Sequence, residues 1–267
     1  MTPEEHLRAG HIDEALAALR DAVRKSPADG KLRIFLFQLL SVLGQWEKAL
    51  TQLQVVAEMD ADSMLMAQIY TPVLHAEAFR TEVFAGRRSP LIFGDPEEWI
   101  GLLVEANRLL AEGQAAASGD LRQRAFEAAP ALPGTINGES FDWIADADSR
   151  LGPVVEAIID GKYYWVPFAR IHQLTIEAPS DLRNLVWAVT HFTWTNGGHT
   201  PGFIPTRYAG TEAAADSRLR LAKITEWNEG GSDLFLGLGQ RVFATQEGEY
   251  PLLDVRMIEL SPVPAAV

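Results

Sequence analysis

Three aspartates within seven residues, Asp142, Asp146 and Asp148, are the densest group of side chains in this chain that could do chemistry. Carboxylates this close can hold a cation or share a proton as an acid/base pair. Asp146-Ala-Asp148 matches the opening of a calcium-binding loop, and the match then ends. The fifth position is Arg150, the sixth is Leu151 where glycine is needed, and the twelfth is Ala157 where glutamate is needed. The expected role is structural, with the carboxylates capping turns and pairing with Arg150. The histidines are His6, His11, His75, His172, His191 and His199, and no His-Glu-x-x-His helix is present. His191 and His199 flank a turn at Asn196-Gly-Gly198 and could form a ligand pair across it; exposed loop histidines are the default expectation. Gly237-Leu-Gly-Gln-Arg241 lacks the third glycine and the Lys-Ser/Thr of a phosphate loop, and reads as a glycine-permitted bend before a strand at Val242. There is no Gly-x-Ser-x-Gly and no cysteine, which excludes a hydrolase elbow, disulfides and cysteine metal sites. The expectation is a protein without catalytic residues, metal or cofactor. The alternative is an enzyme built on Asp142, Asp146, Asp148 and His191.

The composition narrows the partner, a basic or amphipathic one being the easier to accept. The 267 residues are 47% hydrophobic and 22% charged, as in globular chains, with a net charge of −13. That charge argues against nucleic acid and against an anionic membrane surface as partners. The N-terminus lacks a basic segment followed by an apolar one, and the longest apolar stretch, around Ile34 to Leu43, is too short to span a bilayer. A cytoplasmic address follows as the expectation.

The elements that must position these groups fall into two regimes. Gly10, Ala15 and Leu16 recur 34 residues later as Gly44, Ala49 and Leu50, which is the spacing of a tetratricopeptide (TPR) repeat. Residues 2–26 read as a helical pair closed by Pro27. Residues 29–43 form a helix with Leu32, Phe35, Leu36, Leu39, Leu40 and Leu43 at helical spacing, and 46–59 form its return. A third pair over 63–85 is interrupted by Pro72. Asp95 and Pro96 read as the N-cap and first residue of a helix running to about Glu112, and another helix covers 115–128. Residues 1–130 are therefore expected to form a TPR-like, right-handed α-helical array.

After Pro130 the runs shorten, and aromatic and β-branched residues rise. Strands are expected at Phe141–Ile144, Val154–Ile159, Lys162–Phe168, Ile171–Glu177, Leu185–Val189, Gly202–Thr206, Thr225–Trp227, Val242–Thr245 and Leu252–Leu260. Asp160-Gly161 reads as a hairpin turn, and short helical patches fall at Asp181–Asn184 and Asp216–Leu221. The fold class is thus α+β. The second domain, 131–267, is β-rich and mostly antiparallel, a small barrel or a curled sheet, ending in a tail after Ser261. Its aromatic residues, among them Trp143, Tyr163, Trp165, Trp187, Trp194 and Tyr208, read as core, with a peptide-binding face as the sharper alternative. Arg207 and Arg241 are available to pair with Asp146, Asp148 or Asp254.

Five longer strings give a resemblance. They are Phe141-Asp-Trp-Ile-Ala-Asp-Ala-Asp-Ser-Arg-Leu-Gly-Pro153, Gly161-Lys-Tyr-Tyr-Trp-Val-Pro-Phe168, Phe203-Ile-Pro-Thr-Arg-Tyr208, Gly237-Leu-Gly-Gln-Arg241 and Gly248-Glu-Tyr-Pro-Leu-Leu-Asp-Val-Arg256. With Phe84-Ala-Gly86 and the repeats, they resemble the ImpE/TagJ family of type VI secretion accessory proteins over essentially the whole chain. The resemblance implies a cytoplasmic, virulence-associated bacterial adaptor of the contractile sheath and no enzymatic activity. It would bind the N-terminal helix of the small sheath subunit and influence sheath handling by the AAA+ ATPase, with self-association left open.

The repeat register marks a groove for such a helix. With Gly44 at position fifteen, the concave positions of the first helix of that repeat are Lys31, Ile34, Gln38 and Ser41. The preceding repeat contributes Glu5 and Arg8, and the next Leu65 and Gln68. Either this groove is open to a partner, or the array packs against its own C-terminal half.

Overall fold

The computed structural model describes residues 1–230 and 234–261. Apolar residues recurring every third and fourth position build helices α1 (Pro3–Arg8), α2 (Ile12–Lys25), α3 (Gly30–Val42), α4 (Trp46–Ala57) and α5 (Ala61–Phe84). After them come α6 (Glu98–Ala111) and α7 (Ala115–Ala128). Helices α1 and α3 begin on side-chain caps, from Thr2 in a capping box and from Asp29.

Two expectations for this half are corrected. Helix α5 runs unbroken for 24 residues through Pro72. Proline removes one backbone donor, and packing outweighs that loss: Gly161 sits so close that a Cβ there would lie 2.4 Å from Pro72 Cβ. Helix α6 begins at Glu98 with Glu97 as its N-cap, because the loop at Asp95 is held elsewhere: Arg170 Nη2 donates to the Asp95 carbonyl at 2.8 Å.

The strands are β1 (Leu91–Ile92), β2 (Gly134–Ile136), β3 (Glu139–Phe141), β4 (Ala145–Asp146), β5 (Val154–Ile159), β6 (Lys162–Pro167) and β7 (Ile171–Ile176). Next come β8 (Trp187–Trp194), β9 (His199–Pro205), β10 (Thr225–Glu229), β11 (Phe235–Gly239), β12 (Val242–Ala244), β13 (Glu249–Pro251) and β14 (Met257–Leu260), with a one-turn helix α8 (Ser217–Arg220) before β10. Nine strands form one sheet in the order β1-β6-β5-β9-β8-β7-β14-β2-β3. All its pairings are antiparallel except β1 with β6. β1 and β3 are its free edges, so the sheet is open and the barrel alternative falls. Smaller sheets are β10-β11 and β13-β12-β4.

Asp160 and Gly161 both take positive φ, 48° and 72°, and close the β5–β6 hairpin as a two-residue turn. The segment expected as one strand at Leu252–Leu260 is a 3-10 turn, Leu252–Asp254, and then β14. The tail after Ser261 lies outside the described residues.

Alternation along β5 shows how the two regimes join. Val154 and Ile158 enter a core shared with the helices, while Val155, Ala157 and Ile159 enter a second core on the other side of the sheet. Both faces of β5 are therefore buried, which explains its almost unbroken apolar run. The exception is Glu156, which shares its parity with Val154 and so faces the helices.

Candidate functional site

The concave side of the repeats is half filled by the chain itself. Leu182 and Leu185, in the 3-10 turn before β8, pack on the helical core, and the Arg183 guanidinium lies over the Tyr70 ring at 5.0 Å. Tyr70 also meets Trp187 and Phe203 at 5.7 and 5.6 Å, and Phe37 of α3 at 5.8 Å, so these rings link α5 to α3 and to the sheet. Deeper in, Arg207 Nη1 donates to the Val42 carbonyl at 2.7 Å and Nη2 to the Ser41 carbonyl at 3.5 Å, capping the end of α3. No carboxylate lies within ion-pair distance of Arg207 among the described residues, contrary to the expected aspartate pairing. Burial lowers it to about 10. A guanidinium serves a helix C-terminus well because the orphan carbonyls there carry partial negative charge.

The expected groove residues separate accordingly. Ser41 is fully buried, with its hydroxyl on the Phe37 carbonyl at 2.9 Å, so it offers nothing to a partner. Ile34 and Gln38 are half-buried, and Ile34 packs on the core. Lys31, Leu65 and Gln68 are exposed, as are Glu5 and Arg8 on α1. Leu65 is 59% exposed and stands with Met64 and Ile69, at 49% and 44%. The front of α5 thus presents an apolar strip beside polar residues, which repeat spacing had pointed to only through Leu65.

Behind the filled half lies a buried ionic network, of which the sequence reading had named the Arg241–Asp146 pair but not Glu156, Arg80 or Glu77. Arg80, on α5, donates to both oxygens of Glu156 at 2.5 and 2.9 Å and to the Arg207 carbonyl at 2.8 Å. Tyr163 Oη donates to Glu156 at 2.5 Å and accepts from Trp165 Nε1 at 2.8 Å. Glu77 accepts from Trp187 Nε1 at 2.9 Å and pairs with Arg80 at 3.4 Å. Arg241, wholly buried, bridges Glu156 and Asp146. Burial would raise the Glu156 carboxyl, but Arg80 and Arg241 outweigh it and hold it at about 2. Burial pushes Asp146 up to about 6, Arg241 notwithstanding, with Asp148 and Glu156 adding to the rise. The available signal was Glu156 itself, a charge in the middle of a strand buried on both faces.

The tempting chemical groups are spent on structure. Asp148 takes Arg150 at 2.6 and 2.9 Å and the Gly237 amide at 2.8 Å. Within Gly237-Leu-Gly-Gln-Arg241 the expected bend before Val242 falls at Gly239, with φ +91° where β11 ends, while Gly237 lies in β11, where a Cβ would lie 2.2 Å from Tyr208 Cδ2. Asp142 is exposed and apart from the network. His191 and His199 lie on β8 and β9 and not in loops, engaged with Glu177 and Thr193 at 3.0 Å each. Among the described residues no cluster of three His, Asp or Glu side chains could hold a metal. The aromatic set is mostly core: Tyr163, Trp165, Trp187 and Tyr208 are buried, and Trp143 is 39% exposed. No helix among the described residues is long and apolar enough to cross a membrane.

Helical repeats packed onto an open, mostly antiparallel sheet, with an apolar strip exposed on α5, define an α+β protein of the repeat class. The comparisons place it further. The tetratricopeptide repeat model matches residues 6–69, and the ImpE protein model matches residues 138–259. The type VI secretion system accessory component TagJ of Pseudomonas aeruginosa is 49% identical over 265 residues, covering 99% of this chain and 93% of that one. The crystal structure of protein VPA1032 from Vibrio parahaemolyticus superposes with a TM-score of 0.89 at 25% identity, covering 98% of both chains. This chain belongs to the ImpE/TagJ family of type VI secretion accessory proteins.

Proposed function

We propose that this chain is a non-enzymatic, cytoplasmic adaptor of the type VI apparatus that docks the N-terminal helix of the small contractile-sheath subunit. Through that contact it influences sheath assembly or handling by the AAA+ ATPase. The observation that carries the reading is the exposed strip of Met64, Leu65 and Ile69 on α5, with the polar Gln68 on the same helix and Lys31 on α3 also exposed. An amphipathic helix laid there covers apolar area on one face and meets polar groups at the rim. A few such anchors dominate the affinity of helix-in-groove contacts.

The test is binding of the purified chain to a peptide of that sheath helix, measured by calorimetry. Leu65→Asp, at an exposed position, weakens binding by an order of magnitude or more without changing the melting temperature. Full affinity in the folded variant removes this surface from the reading. Ile34→Asp weakens binding too, but Ile34 also supports the core, so its melting temperature must be followed alongside.

A further inference from the structure

A second groove lies on a different side of the repeats. Helices α2 and α4 flank it and α3 is its floor, with a volume of about 590 Å³. Arg33, Leu36 and Leu40, which line it, lie about 130° around α3 from Ile34, Gln38 and Ser41 at 100° per residue. The C-terminal half does not contribute to its lining.

Its charge runs against the rest of the molecule. The chain carries 36 acidic and 23 basic residues, yet the charged groups lining this groove are Arg20, Arg24, Arg33 and Lys48 against Asp21 alone. Asp21 is taken by Arg24. Among the described residues, the other three cations meet only neutral oxygens. Arg20 and Lys48 share Gln45 Oε1 at 3.3 and 3.0 Å, and Arg33 bonds Gln52 Oε1 at 3.1 Å and the Pro27 carbonyl at 2.7 Å. Arg20 and Lys48 are exposed, and the apolar lining between them is Ala17 and Val23 on α2 with Leu36 and Leu40 on α3, the last three largely buried.

We infer that this groove docks an acidic amphipathic helix of a partner protein, with apolar side chains on the floor and carboxylates against Arg20, Arg33 and Lys48. Charge complementarity selects the occupant. In a chain of net charge −13, an acidic segment is repelled by most of the surface and attracted here, which steers it and sets its register. The inference goes beyond the adaptor reading and does not depend on it. It gives the repeats a second contact surface, so one copy can hold two partners at once.

The test uses a synthetic helix of about five turns, leucine on one face and glutamate on the other, and a twin with lysine for glutamate. The wild-type chain binds the acidic helix, more weakly as salt rises, and does not bind the twin. The double variant Arg20→Glu/Lys48→Glu, at exposed positions, melts like wild type and loses affinity by on the order of tenfold or more. Leu65→Asp leaves this binding intact, and the double variant still binds the sheath-helix peptide, so the two surfaces fail or hold separately. Absent binding of the acidic helix, equal binding of both helices, or unchanged affinity in the double variant overturns the inference. So does inorganic phosphate binding in place of the helix, or wild-type self-association that the double variant abolishes, which would make a second copy the occupant.

Discussion

Arg80 and Glu156 stand 76 residues apart in sequence and meet in the interior, two nitrogens of one on two oxygens of the other. One sits on the last repeat helix, α5, and the other on the sheet strand β5, so this pair fixes how the array sits on the sheet. A buried bidentate pair adds little net stability over an apolar substitute, because both ions must be desolvated, but removing one partner leaves the other stranded. Glu156→Gln would leave Arg80 with Glu77 alone and Arg241 with Asp146 alone as carboxylate partners. Urea denaturation is expected to show a loss of about 3–5 kcal/mol, in the range seen when one member of a buried pair is removed.

The same network sets an acid response with two limbs. Asp146 is pushed up to about 6 when folded, from an ordinary value of 3.8, so the folded state holds a proton that the unfolded state releases. Stability therefore rises as pH falls from about 6 toward 4, by on the order of 1–3 kcal/mol. Glu156 acts oppositely. Held at about 2 from 4.5, it contributes stability above pH 4.5 that is lost as pH falls toward 2. The urea midpoint of wild type is expected to pass through a maximum near pH 4–5, and Asp146→Asn is expected to flatten the limb above it. A wild-type midpoint that only falls on acidification from pH 6 would contradict the assignment to Asp146.

Arg207 caps α3 from the far half of the chain, donating to the carbonyls of Val42 and Arg220 at 2.7 and 2.5 Å. Arg207→Met keeps most of the side-chain volume and leaves those carbonyls without their donor. The expected cost is about 1–3 kcal/mol. Amide hydrogen exchange is expected to quicken at Leu43 and Gly44, just past the end of α3, and not at α7.

Gly161 packs against Pro72 with a φ of +72°. Gly161→Ala meets two penalties, the left-handed conformation and the overlap with the proline ring. Together they are expected to cost about 2–4 kcal/mol. Gly138, at the equivalent place in the β2–β3 turn, has open space around its Cα. Gly138→Ala is expected to cost only the conformational part, and the difference between the two melting temperatures measures the contact with α5.

Local rules made much of this molecule legible. Repeat spacing gave α2, α3 and α4, and Asp160-Gly161 gave a hairpin turn because both its positions need positive φ. What was misread depends on contacts between distant residues. Pro72 reads as a helix breaker until the β5–β6 turn is seen packing on its ring. Asp95 reads as a helix cap until Arg170 is found holding its carbonyl. Ser41 has the right repeat position for a groove, but the space beyond it belongs to Arg207, which sequence spacing cannot place there. Glu156 was readable in principle, since a carboxylate inside Val154–Ile159 must find a cation, although its partners Arg80 and Arg241 come from opposite ends of the chain.

One consequence concerns α5. At 24 residues it is about 36 Å long, bare at Leu65 and anchored at Glu77 and Arg80. It is therefore one continuous rod, with the β5–β6 hairpin turn packed against it at Pro72. The exposed leucine at one end and the ion pair that pins the helices to the sheet at the other are thus parts of a single unbroken element.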